Sequence, residues 1–228
     1  MGGVAMEKKA KRKSYRKVQK NRYCYVLEAC RKIDELDQSL VNNSTNIIYN
    51  LNNIYIPRWK DLSKVQKVAL FFSYVVDDSW FAITLRFSNE FMANCGNNSK
   101  LTDFIRRRIN ENFKNKLGYV PEYMFSIEFE NDKLHMHGAI KPNNDMKKIK
   151  QILKTTAFSK KRYCTLPEQF KLSCKGIYNS RRWGRYILKT CYKSEFDIYI
   201  CDPIISRIRQ IHDNFMIKYK FLKGIKHD

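Results

Sequence analysis

Two of the four histidines in this 228-residue chain stand one residue apart, His135-Met136-His137, inside the apolar run Leu134 to Ile140. Residues i and i+2 of a strand share a face, so both imidazoles can reach one ion. The pair alone suits two satisfied structural histidines as well as a ligand set, so a third donor matters. Tyr123 to Glu130 and Lys133 to Ile140 read as two strands joined by Asn131-Asp132, a dipeptide suited to the positive φ angles of a tight hairpin turn. A two-residue turn there sets Glu130 opposite Lys133, Phe129 opposite Leu134 and Glu128 opposite His135. Glu128 then lies on the histidine face, with Glu130 one step nearer the turn as the alternative third donor. Two imidazoles and a carboxylate with open positions suit a divalent ion such as Mg²⁺ or Mn²⁺ that also holds a substrate oxygen.

A nucleophile can be sought among the fourteen tyrosines. Only Tyr186 has a lysine three residues on, Lys189, within a stretch that reads as a helix, Arg181-Arg182-Trp183-Gly184-Arg185-Tyr186-Ile187-Leu188-Lys189. That spacing puts phenol and ammonium on one helical face, where the cation lowers the phenol's pKa or steadies a phosphate oxygen. The same spacing also describes a core tyrosine beside a surface lysine.

These residues need elements to hold them. Phe81, Ile83, Leu85 and Phe87 alternate with Ala82, Thr84 and Arg86, the period of a half-buried strand. Leu101, Ile105, Ile109, Phe113 and Leu117 recur every four residues, with Ser99 or Thr102 as N-cap and Gly118 past the end. After the hairpin, Asp145 can cap a helix with Met146, Ile149 and Leu153 on one stripe, and Phe170 to Ile177 reads as a fourth strand. The order is β-α-β-β-α-β, an α+β fold with a four- to five-stranded antiparallel sheet, helices mainly on one side, and extra N- and C-terminal helices. A helix over about Asn179 to Lys193 follows. Outside this core, Tyr25 to Leu40 and Pro57 to Val76 have helical patterns, and Asp202-Pro203 opens a helix with Ile204, Ile208, Ile211 and Phe215 along one stripe. The expected organisation is a basic arm over 1–24, a helical extension over 25–78, a core over 79–195 and a C-terminal helical extension over 196–228.

Charge identifies the partner class. Forty-four Lys and Arg against 22 Asp and Glu give a formal net charge of +22, which makes a polyanion the natural partner, since cations that neutralise phosphates release condensed counterions. Basic residues are spread through patterned segments, and no run of 18 apolar residues occurs, so a membrane is not the expected partner. Candidate phosphate contacts are Arg181, Arg182 and Arg185 beside the tyrosine, and Arg106 and Arg107, which equally suit a solvated helix face. Lys8-Lys9-Ala10-Lys11-Arg12-Lys13 reads as a DNA-tracking tail or a nuclear address, and Met6 stands where a myristoylation signal wants Ser or Thr. Seven widely spaced cysteines without a Cys-x-x-Cys pair fit a reducing compartment and argue against a zinc finger.

The ordered set of Phe81-Ala82-Ile83-Thr84-Leu85, the Glu128 strand, His135-Met136-His137-Gly138 and Tyr186-Ile187-Leu188-Lys189 resembles the HUH endonuclease superfamily. It is similar in particular to the rolling-circle replication initiators of small plasmids and single-stranded DNA phages and viruses. The resemblance covers about Trp80 to Lys193, half the chain, and rests on the order and spacing of three motifs. Relaxases of that superfamily carry their tyrosine before the histidines; here it follows them. Cupins also use His-x-His, but expect a glutamate shortly afterwards, and Lys141 to Lys150 has none.

What the resemblance implies is a metal-assisted DNA nickase and ligase. His135 and His137, with Glu128, would bind Mg²⁺ or Mn²⁺, which polarises the scissile phosphate. Tyr186 would attack that phosphate and retain a 5′-phosphotyrosine, with Lys189 orienting the phosphate or aiding deprotonation. The implied substrate is single-stranded or origin hairpin DNA, in the cytoplasm of a bacterial host or the nucleus of a eukaryotic one. Tyr192 is six residues past Tyr186 and well round the helix, so one catalytic tyrosine is expected. Gly-x-x-x-x-Gly-Lys-Ser/Thr does not occur, so unwinding would fall to a host helicase. The rivals are a transposase or mobilisation nuclease with the same chemistry, and a non-catalytic RNA-recognition-like module whose sheet aromatics, Tyr123, Phe125 and Phe129, stack bases.

Overall fold

Alternation of apolar and polar residues makes five segments pair as one antiparallel sheet in a computed structural model that describes residues 25–35, 37–38, 54–95, 101–130, 133–157, 172–190 and 198–224. The expected basic arm, the Asn131-Asp132 turn and Tyr192 lie outside the described residues. The strands are β1 (Phe81–Arg86), β2 (Glu122–Glu130), β3 (Lys133–Lys141), β4 (Leu172–Gly176) and β5 (Ile198–Ile200), in the spatial order β4-β1-β3-β2-β5. The β-α-β-β-α-β order read from the sequence is the order of the fold.

Seven α-helices lie among the described residues. α1 spans residues 25–35, and α2 (Lys64–Tyr74), α3 (Asn89–Cys95), α4 (Leu101–Leu117), α5 (Met146–Ala157), α6 (Ser180–Thr190) and α7 (Asp202–Gly224) follow. Ile105, Ile109 and Phe113 of α4 and Ile149, Ile152 and Leu153 of α5 are buried in one cluster with Ile83, Leu85, Tyr123, Phe125, Ile127, Leu134, Met136 and Ile140 of the sheet. Burying each such side chain contributes about 1.5–3 kcal/mol, so this layer dominates the choice of register. A one-residue slip would turn the whole apolar set to the other face.

Local signals end the helices where the sequence suggests. Gly118 follows α4 with φ +80°, and its N–H bonds the Lys114 carbonyl at 3.0 Å, a C-terminal cap that an L side chain disfavours. Asn143 and Asn144 take positive φ before α5, a conformation that asparagine tolerates. The Asp145 carboxylate accepts a bond from the Tyr119 hydroxyl at 3.1 Å and pairs with Lys148. α3 was not anticipated; Ser88 begins it, its hydroxyl accepting from the Phe91 N–H (3.1 Å) and donating to the Ala157 carbonyl (3.2 Å). The strand expected over Phe170 to Ile177 is described as Leu172–Gly176, an edge strand, and the helix expected over Asn179 to Lys193 as Ser180–Thr190.

The chain divides into two compact units, Val76–Ile204 and a second made of Met1–Val75 with Ile205–Asp228. The break expected after residue 195 falls at Ile204 instead, within α7, because Ile198–Ile200 pairs with Met124–Ser126 at the sheet edge. The terminal segments, read as separate extensions, belong to one helical unit. There α2 starts with a capping box between Ser63 and Gln66. His212 is buried with Nε2 2.8 Å from the Pro57 carbonyl, and the Tyr219 hydroxyl donates to the Ile54 carbonyl at 2.7 Å.

One position in the hairpin leaves no room for a side chain. A Cβ on Gly138 would meet the Met124 carbonyl oxygen at 2.3 Å and Phe125 at 3.1 Å, so backbone rather than a flexible side chain would have to move. Gly138→Ala is expected to cost about 1–3 kcal/mol, read as a lower urea midpoint, and an unchanged midpoint would contradict the close approach. The Cys174 thiol of β4 is pushed by burial from its ordinary 9.0 up to about 11, leaving about a hundredfold less thiolate at pH 8. Iodoacetamide should therefore label it far more slowly than an unfolded-chain thiol at that pH; equal rates would overturn this.

Candidate active site

The strand pleat that buries Leu134, Met136 and Ile140 turns His135 and His137 to the opposite face of the sheet. The register is the one expected from a two-residue turn: Glu130 opposite Lys133, Phe129 opposite Leu134 and Glu128 opposite His135. β1 adds Thr84 opposite His137 and Arg86 opposite His135. One polar patch on the sheet thus carries both histidines, Glu128, Thr84 and Arg86.

His137 is almost fully buried, with 4% of its surface exposed, and a buried imidazole needs partners at its nitrogens. Nδ1 lies 3.2 Å from the Thr84 hydroxyl, and Nε2 lies 3.2 Å from a carboxylate oxygen of Glu128. The carboxylate opposite His135 in register thus reaches diagonally to His137. With a proton on Nε2 the ring donates to Glu128 while Nδ1 accepts from Thr84; the hydroxyl serves either tautomer because it both donates and accepts. His135 stands beside this pair, its ring nearly parallel to that of His137 with centroids 6.2 Å apart.

Helix α6 brings the tyrosine to the same face. Asn179 caps the helix, its side-chain oxygen accepting from the Arg182 N–H at 2.8 Å. One turn later the Trp183 indole donates to the Gly138 carbonyl at 2.9 Å, tying α6 to β3. Tyr186 stacks on Trp183 with centroids 5.1 Å apart and planes within 12°. Its ring also meets His137 edge-on, with centroids 5.1 Å apart and planes at 87°. Tyr186 stays 37% exposed, so the phenol is held on two sides and open to solvent.

Of the residues expected to act together, the structure gathers His135, His137, Glu128 and Tyr186. Lys189 falls in the last turn of α6, but its side chain, like that of Glu130, lies outside the described residues. Arg181, Arg182 and Arg185 are exposed on α6. Arg106 and Arg107 are not part of this site, because the buried stripe of α4 packs on the other face of the sheet. Arg106 there lies 3.5 Å from Asp103 and over the Tyr199 ring. Tyr123 and Phe125 are fully buried on that same face, which leaves neither free to stack a base. Sequence reasoning missed Thr84, Arg86 and Trp183; the alternation of β1 signalled the first two, and nothing local signalled the third.

The donor set suits a divalent ion in kind, with two imidazoles and a carboxylate on one face. His137 Nε2 and the Glu128 oxygen are close enough for one ion to touch both, whereas among the described residues no three His, Cys, Asp or Glu side chains already converge on a point. The fit is therefore a pair of donors with His135 alongside. Among the described residues no helix is long and apolar enough to cross a membrane. No protein-family model, curated protein or solved structure matches the chain.

Thr84→Val keeps the side chain's shape and removes the hydroxyl facing Nδ1. A loss of about 1 kcal/mol in stability is expected, together with a shifted His137 tautomer balance in ¹⁵N imidazole spectra. Identical spectra would mean that Thr84 does not hold the ring.

Proposed function

We propose that this protein is a site-specific single-strand DNA endonuclease and strand transferase of the HUH type, one that initiates rolling-circle replication. The observation that carries this reading is Tyr186 set against His137, whose Nε2 faces the Glu128 carboxylate at 3.2 Å. A solvent-open phenol beside a histidine-carboxylate pair is the arrangement that phosphoryl transfer to tyrosine needs. The net charge of +22 supplies the attraction for a nucleic-acid strand. The proposed setting is the cytoplasm of a bacterial host or the nucleus of a eukaryotic one, with a host helicase opening the duplex.

In this reading His137 and Glu128, with His135 alongside, would hold Mg²⁺ or Mn²⁺, and such an ion would supply charge withdrawal from the non-bridging oxygens of the scissile phosphate. Thr84 fixes the His137 ring, and Trp183 fixes the plane of the Tyr186 phenol. Tyr186 Oη forms a bond to phosphorus as the bond from phosphorus to the 3′-oxygen breaks. The phenolic proton leaves to solvent, and the 3′-oxygen takes up a proton as it departs. The phosphotyrosine keeps the energy of the cleaved diester, so a later 3′-hydroxyl can attack it and reseal a strand without ATP. Arg181 and Arg185, exposed on α6, would meet flanking phosphates.

With labelled single-stranded origin DNA and Mn²⁺, the chain should form a covalent adduct that Tyr186→Phe abolishes while DNA binding survives. His137→Ala should lower cleavage about a hundredfold or more with little change in affinity. A chelator should likewise remove the adduct without removing binding. An adduct that persists in Tyr186→Phe would move the nucleophile elsewhere. Equal losses of cleavage and binding in His137→Ala would make the histidines structural.

A further inference from the structure

A groove of about 260 Å³ opens beside Tyr186, between β4, the site face of β1 and α6. Thr84, the residue that holds His137, forms part of its floor, and Tyr186 and Trp183 form one wall. Lys175 and Arg182 line it, and among the described residues no carboxylate does. Tyr178 stands at its rim, 89% exposed. The backbone on either side of Tyr178 is anchored: the buried Ile177 donates its N–H to the Trp80 carbonyl at 3.1 Å, and Asn179 caps α6. With the backbone fixed on both sides, an exposed flat ring offers a stacking face whose position varies only through its own side-chain torsions, which limits the freedom lost when a second ring stacks on it.

We propose that this groove seats one nucleotide of the DNA strand, adjacent to the phosphate at Tyr186, with its base stacked on Tyr178 and its phosphate met by Arg182 and Lys175. This rests on the tyrosine-nuclease reading of the same site and adds to it where the strand runs. The charge of the lining selects an anion, and the forked guanidinium of Arg182 matches phosphate oxygens. The aromatic rim selects a partner with a π face. The volume lies just under the roughly 300 Å³ at which small-molecule sites begin, which limits the occupant to one nucleoside rather than a longer stretch. Because Thr84 and Tyr186 border both the groove and the His137–Glu128 pair, a nucleotide seated there brings the neighbouring phosphate of the strand to the phenol without a bend across open surface.

The test is fluorescence anisotropy of the full chain with a labelled oligothymidylate of about four nucleotides, in chelator and at raised ionic strength to suppress the sequence-independent charge term. Tyr178→Ala should weaken binding roughly five- to a hundredfold, and Tyr178→Phe should retain most of it. On an abasic oligomer of the same length the two variants should bind like the parent. Tyr178 is so exposed that folding is not at stake, and an unchanged thermal midpoint checks this. Parental affinity in Tyr178→Ala, or an equal loss on the abasic oligomer, overturns the proposal. The adduct assay reads separately. A base-dependent Tyr178 effect without any Tyr186 adduct leaves a nucleotide groove and removes the nuclease, whereas an adduct indifferent to Tyr178→Ala, with unchanged binding, removes the groove and leaves the nuclease.

Discussion

The two-residue period of β3 is the constraint on which the site depends. Leu134, Met136 and Ile140 belong to the apolar cluster with α4 and α5, and that burial is what turns His135 and His137 outward. Polar residues so placed are not held by their own interactions alone. The several kcal/mol of apolar burial on one face fixes where the polar groups stand on the other. The hydrogen bonds at the two nitrogens of His137, each of order 1 kcal/mol, then set only its rotamer and tautomer.

That division of labour explains which neighbours matter. Thr84 comes from β1 and Glu128 from β2, so His137 on the strand between them is clamped from both sides. α6 adds a third constraint from above, because Trp183 bonds the carbonyl of Gly138, the residue next to His137. The phenol is thus referenced to the same strand as the imidazole, and a shift of β3 would carry both together. A sheet gives such a site rigidity that a loop could not, while the partly exposed phenol remains reachable.

Much of this was legible because it obeys short-range rules. The Asn131-Asp132 dipeptide and the alternation around it specified the hairpin register, and with it the pairing of Glu128 with His135. Gly118 marked the end of α4 through its positive φ. Other features are tertiary in origin. Three residues at Ile198–Ile200 are too few for a pattern, and they become a strand only because the edge of β2 is there to pair with. α3 has seven residues and depends on the Ser88 hydroxyl linking its start to the end of α5. Arg106 and Arg107 carry the right charge for a phosphate, yet no sequence period tells which face of a sheet a helix will cover. Trp183 is an ordinary helical aromatic until a carbonyl of a distant strand is brought within 2.9 Å of its indole nitrogen.

Alternation by itself leaves an ambiguity, against which Gly138 works alongside the turn dipeptide. A hairpin that slips by two residues keeps every apolar side chain inward and every polar one outward, so burial scarcely distinguishes it from the native pairing. In the native register the point facing the Met124 carbonyl is occupied by the one residue of β3 without a Cβ, where a carbon would sit 2.3 Å from that oxygen. A two-residue slip would bring Met136 or Ile140 to that point. The glycine therefore acts as a key cut into the strand, excluding misfolded hairpins that look equally hydrophobic and keeping the histidines in step with their carboxylate as the chain folds.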